Sequence, residues 1–113
     1  MRSLNNRLKG IRDALTAIDA TLPVYHYRKP QGVRRFICWQ ELNEAETLDA
    51  NDRKGEQGIE GAIDLFTTEE YDPAVDAIQD ALDDLDSVSW RINSVQYEDD
   101  TNLIHYEWYF ELR

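Results

Sequence analysis

The sequence predicts an α+β domain: an antiparallel or mixed sheet of about five strands flanked by two amphipathic helices, in the order α-β-β-β-α-β-β. Three observations predict it. Apolar residues near the start recur at helical spacing, an Asp-Pro pair at 72 and 73 opens a second helical stripe, and the last quarter alternates apolar and polar residues about an acidic turn.

The first helix rests on Leu4, Leu8, Ile11, Leu15, Ile18 and Leu22, whose spacing puts all six on one face. Ser3 is placed to cap its start, Gly10 weakens its middle, and Pro23 is expected to end it. Val24 to Tyr27 reads as a short strand. Lys29-Pro30-Gln31-Gly32 then has the composition of a type I turn. From Arg34 to Leu42 apolar groups fall on both faces, as in a strand near the middle of a sheet. Residues 43–58 hold seven charged residues, two glycines and no periodic apolar set. They read as a long polar loop that orders on a partner. Ile59 to Thr67 is a third strand, with Gly58 and Gly61 as bulge candidates. Asp72 as N-cap and Pro73 at the first helical position start the second helix. Val75, Ile78, Leu82 and Leu85 form its buried stripe, opposite Asp76, Asp80, Asp83 and Asp84. A hairpin follows, with arms around Trp90 to Val95 and Ile104 to Leu112, joined through Glu98 to Asn102.

At 113 residues the chain has room for one core, so residues 1–113 are read as a single domain. Apolar residues at 42% and charged residues at 31%, with the apolar ones in periodic groups, mark a folded chain. No apolar run reaches the roughly 20 residues of a membrane span, and the first residues lack a signal-peptide core. No membrane partner is expected. Cys38 is the one cysteine, so no intramolecular disulfide can form and a cytoplasmic origin is expected.

The net charge of −11 is unevenly distributed. Residues 1–42 carry eight Lys/Arg against three Asp/Glu, and residues 43–113 carry four against twenty. So acidic a surface repels phosphate backbones, so sequence-specific nucleic-acid binding is not expected. Trp39, Trp90 and Trp108, with the tyrosines, read as core or protein-interface residues rather than base-stacking platforms.

Candidate chemistry is sparse. His26, His105 and Cys38 lie on separate strands without the paired spacing of a zinc site, so no metal or cofactor is expected. Asp99-Asp100-Thr101-Asn102 lacks the glycine and distant glutamate of a calcium loop and reads as a turn. With no G-x-S-x-G, P-loop or G-x-G-x-x-G phrase, catalytic residues are not expected, and the chain reads as a binding protein.

Several phrases in order carry a resemblance. They are Phe36-Ile-Cys-Trp-Gln-Glu41, Glu56-Gln-Gly-Ile-Glu-Gly-Ala-Ile-Asp-Leu-Phe-Thr67, Glu70-Tyr-Asp-Pro73, Trp90-Arg-Ile-Asn-Ser-Val-Gln-Tyr97 and Ile104-His-Tyr-Glu-Trp108. The chain resembles small tail proteins of siphophages and of prophages of Gram-positive bacteria, similar to the tail terminator or head-to-tail joining family. Asp49-Ala50-Asn51-Asp52 departs from the family, in which a histidine precedes an Ala-Asp-Asn phrase. The resemblance implies a hexameric ring in the virion tail, made in the host cytoplasm. That ring stops tail-tube growth and contacts both the major tail tube protein and the head-tail connector. A head-completion or neck protein, or a small acidic inhibitor, are the alternatives. The interface residues come from charge and loop length alone: Arg28, Lys29, Arg34 and Arg35 in the basic part, and Asp49, Asp52, Arg53 and Lys54 in the polar loop. The basic part is expected to meet the acidic remainder of a neighbouring copy.

Overall fold

A computed structural model describes residues 3–45 and 57–113. Its elements run α1 (Leu4–Thr16), β1 (Val24–His26), β2 (Phe36–Ala45), β3 (Gly58–Thr67), α2 (Ala74–Asp83), β4 (Val88–Glu98) and β5 (Leu103–Leu112). This is the expected α+β order. The five strands form one mixed sheet in the spatial order β1-β2-β3-β5-β4. β1 runs parallel to β2, and every other pairing is antiparallel.

Both helices lie on one face. Ile11 and Leu15 of α1 and Ile78 and Leu82 of α2 share a buried core with Ile37, Trp39, Ile63, Leu65, Trp108 and Phe110 of the strands. Period-two alternation in β3 and β5 delivers those strand residues to the helical side. The other face holds a smaller apolar cluster of Phe36, Cys38, Phe66 and Leu103, with Tyr25 and Val33 packed against it. Apolar groups on both faces of β2 thus have a place on each side of the sheet.

Helix α1 begins as its capping residue dictates, with Ser3 Oγ accepting from the Asn6 amide at 3.2 Å. It stops at Thr16, earlier than the stripe through Leu22 suggests. The cause is Asp19, whose carboxylate accepts from the Thr21 amide at 2.8 Å and the Thr21 hydroxyl at 2.7 Å. A side chain that satisfies nearby backbone donors this way competes with the helical ladder. Leu22 is buried nonetheless. Helix α2 starts at Ala74, one residue later than expected, with Pro73 rather than Asp72 in the capping position, while Asp72 Oδ1 still accepts from the Ala74 amide at 2.8 Å.

Three further expectations are corrected. Lys29-Pro30-Gln31-Gly32 forms no hydrogen-bonded turn, and because β1 and β2 are parallel the segment carries the chain back to the start of β2. The polar loop begins later and ends sooner: Asn43, Glu44 and Ala45 belong to β2 and pair with Glu60, Ile59 and Gly58 of β3. The rest of that segment, 46–56, lies outside the described residues. The irregularity in this ladder falls on β2, between Glu41 and Asn43, rather than at the glycines.

Gly61 has a different task. Directly opposite it on β5 is Phe110, whose ring lies where a side chain at 61 would go, and an added Cβ would also sit 2.6 Å from the Gln40 carbonyl oxygen. Gly61→Ala is expected to cost about 1 to 3 kcal/mol by overpacking. A shift in the urea midpoint checks this, and an unchanged midpoint would show that the Phe110 ring moves aside freely.

Candidate functional site

The basic residues of the 27–35 segment have separate roles. Arg35 grips α2: its Nε donates to Asp72 Oδ2 at 2.8 Å and its Nη2 to Asp72 Oδ1 at 2.9 Å, while its Nη1 lies 3.5 Å from Asp19. Asp72 is buried and also accepts from the Thr67 hydroxyl at 2.7 Å. One carboxylate therefore ties the β2 entry, the β3 exit and the start of α2 together. The Arg35 guanidinium, outweighing the effect of burial and helped by the Ala74 amide and the Thr67 hydroxyl, holds the Asp72 pKa down to about 2. Arg35 is thus an internal clamp, which corrects its reading as a free surface charge. Lys29 lies over the Phe66 ring, 4.7 Å from its centroid. Arg28, Lys29 and Arg34 are exposed. Asp49, Asp52, Arg53 and Lys54 lie outside the described residues.

A polar cluster lies on the face away from the helices. His105 Nε2 is 2.6 Å from Asp64 and Nδ1 is 3.2 Å from Glu98, so the imidazole bridges β3, β5 and β4. Its ring stacks on Phe66 at 4.1 Å. Burial pushes the His105 pKa down, but the Asp64 hydrogen bond and the charges of Asp64 and Glu98 outweigh it, and the net shift is upward despite Lys29. The carboxylate at each nitrogen stabilises the imidazolium relative to a free histidine and ties the strands together. Cys38 lies in the same region, paired in register with Asp64. Burial, and then the Asp64 charge, push its thiol pKa up, so the nucleophilic thiolate is disfavoured. His26 lies apart, stacked on Tyr27 and Trp39 with Nε2 2.8 Å from Glu41. Among the described residues no group of three or more His, Cys, Asp or Glu is placed to hold a metal, and no helix is long and apolar enough to cross a membrane.

The basic segment and the acidic hairpin turn line one cleft of about 580 Å³, with Lys29 and Arg34 on one side and Glu98 and Asp100 on the other. Part of the charge asymmetry is therefore offset within the chain.

The most exposed apolar strand surface is on β4. Among the described residues this eleven-residue strand pairs with β5 alone and forms one edge of the sheet. Its pairing register shifts between Ile92 and Ser94, so Ile92, Val95 and Tyr97 lie opposite Trp108, Tyr106 and Ile104 and all three face the helical side. Each is exposed, at 43%, 54% and 59%. No residue from Ile92 to Tyr97 is charged. Free edges in native proteins usually carry charge or proline that blocks further pairing, and this stretch has neither.

No family model matches the chain, and no curated protein does.

Alternation alone puts Ile92 with Ser94 on one face and Asn93 with Val95 on the other, so the irregularity at Asn93 hid the apolar row from sequence reasoning. The polar cluster did leave a signal, since Asp64 stands between Ile63 and Leu65 in a stretch, Gly61 to Phe66, that is otherwise apolar. A charged residue inside such a run needs a partner. Which histidine supplied it depended on strand pairing.

Proposed function

We propose that this chain is a ring-forming subunit of a phage tail, a terminator at the head-proximal end of the tail tube that stops tube growth and joins tail to head. The β4 edge is the observation that supports assembly as the mode of action. An uncharged apolar row on an edge that no described strand pairs is unusual on a chain of net charge −11, and it gives copies of an acidic protein a place to approach without repulsion. The resemblance of several phrases to small tail proteins is what suggests the phage setting. Arg28, Lys29 and Arg34 steer association, because exposed pairs contribute only about 0 to 1 kcal/mol each and affect rate and salt dependence more than affinity.

Stoichiometry tests this reading. Native mass measurement of the pure chain, alone and with tail-tube protein, is expected to show a hexamer. Arg34→Glu is expected to slow its formation at low salt and flatten its salt dependence while leaving the monomer folded. A monomer that never associates with tubes overturns the terminator reading, and a one-to-one complex with an enzyme replaces it with the inhibitor reading.

A further inference from the structure

The two edges of the sheet differ in length, and their directions are related. From β1 to β4 the order passes one parallel step and three antiparallel ones, so β1 runs opposite to β4. If a second copy continued the sheet in the same sense, its β1 would meet β4 antiparallel, the pairing with the stronger hydrogen bonds. The residue rows also match in level. Val24 aligns through Ile37, Leu65 and Tyr106 with Val95, and His26 aligns through Trp39, Ile63 and Trp108 with Ile92. A copy placed without slippage along the strands sets Val24–His26 beside the apolar row of its neighbour.

Charge decides which edge fits. Before β4 stand the exposed Asp83, Asp84 and Asp86, with Asp83 held near the strand by the Trp90 Nε1 donor at 2.8 Å. At its other end stand Glu98, the last residue of β4, and then Asp99 and Asp100. Two β4 edges paired antiparallel would bring one acidic end against the other twice over, and like charges in contact oppose association. The β1 edge carries the opposite sign where it matters: exposed Arg28 follows its C-terminal end, which in the antiparallel arrangement lies at the Asp83-to-Asp86 end of β4. Exposed Tyr27 adds apolar surface there.

We infer that the β4 edge receives the β1 edge of a second copy of this chain, so that one sheet runs from subunit to subunit through main-chain hydrogen bonds and the contact of Ile92, Val95 and Tyr97 with residues 24–28. The inference rests on the ring reading and names its joint. Each copy offers two different edges, so the contact is heterologous, as a closed ring requires.

Paired cysteines test the joint. In the full chain carrying both His26→Cys and Ile92→Cys, the two positions face one another across the proposed seam at the separation a disulfide needs, and oxidation is expected to give a ladder of covalent multimers ending at the ring. Neither single variant is expected to give it. Disulfide dimers from Ile92→Cys alone overturn the inference in favour of β4 self-pairing. Rings in native mass spectra with no cross-link overturn it while leaving the ring reading intact, and a wild-type chain that stays monomeric with and without tail-tube protein overturns both. A second variant needs no oxidation. Ile92→Lys with Val95→Lys alters exposed side chains only, so circular dichroism should be unchanged while the concentration for half-assembly rises roughly 100-fold, about tenfold per side chain. Unchanged assembly in that variant also overturns the inference.

Discussion

Arg35→Glu is expected to unfold the protein or to lower its stability by about 3 to 5 kcal/mol, the largest effect of any single surface-adjacent change. Asp72 is buried, and its carboxylate is matched by the Arg35 guanidinium through two hydrogen bonds. Reversing the charge leaves a buried anion facing another anion at the point where β2, β3 and α2 meet. Urea unfolding followed by tryptophan fluorescence measures the loss, and a midpoint within error of wild type would show that the clamp contributes little. The same pair gives an acid signature. The folded Asp72 value, about 2, lies below its ordinary value of 3.8, so its contribution is fully present above about pH 4 and is lost as pH falls through 2. The difference corresponds to about 2 kcal/mol. It should shrink in Arg35→Met, because Arg35 is the main cause of the lowered value. Any study of assembly by charge reversal should therefore leave Arg35 intact and act on Arg28, Lys29 or Arg34.

Leu15→Ala and Leu82→Ala should each cost about 2 to 5 kcal/mol. Both side chains are 1% exposed and belong to the one core that joins the helices to the sheet. The range reflects how far neighbours can collapse into the space left behind. Leu82 packs on a helix whose first turn is fixed by Asp72, so little relaxation is expected and the upper half of the range applies there. Leu15 lies in the last turn of α1, next to a non-helical segment that can shift, which places it in the lower half. Equal and negligible changes in both would mean that the helices do not share this core.

The parts of the fold that could be read in advance are those fixed by local chemistry. Asp72-Pro73 announced α2, Ser3 announced α1, and alternation from Ile104 to Leu112 announced the arm that crosses the core. What could not be read depends on contacts between distant residues. The early end of α1 follows from Asp19 capturing Thr21, which a six-residue apolar stripe conceals. The parallel direction of β1 leaves no mark in three residues. Arg35 reads as one of four clustered cations until Asp72 is placed against it, and His105 reads as isolated until pairing sets it between Asp64 and Glu98. The apolar row on β4 was present as letters, but one register shift decided which face it occupies.

Cys38 has a practical consequence. Its thiol is buried, its ionisation is opposed by burial and by Asp64, and it is the one sulfhydryl in the chain. The folded protein should tolerate air and mild oxidants without forming covalent aggregates, and thiol-directed dyes should leave it dark until it unfolds. Labels or spin probes introduced at chosen surface positions can therefore report from those positions alone, without first removing the native cysteine.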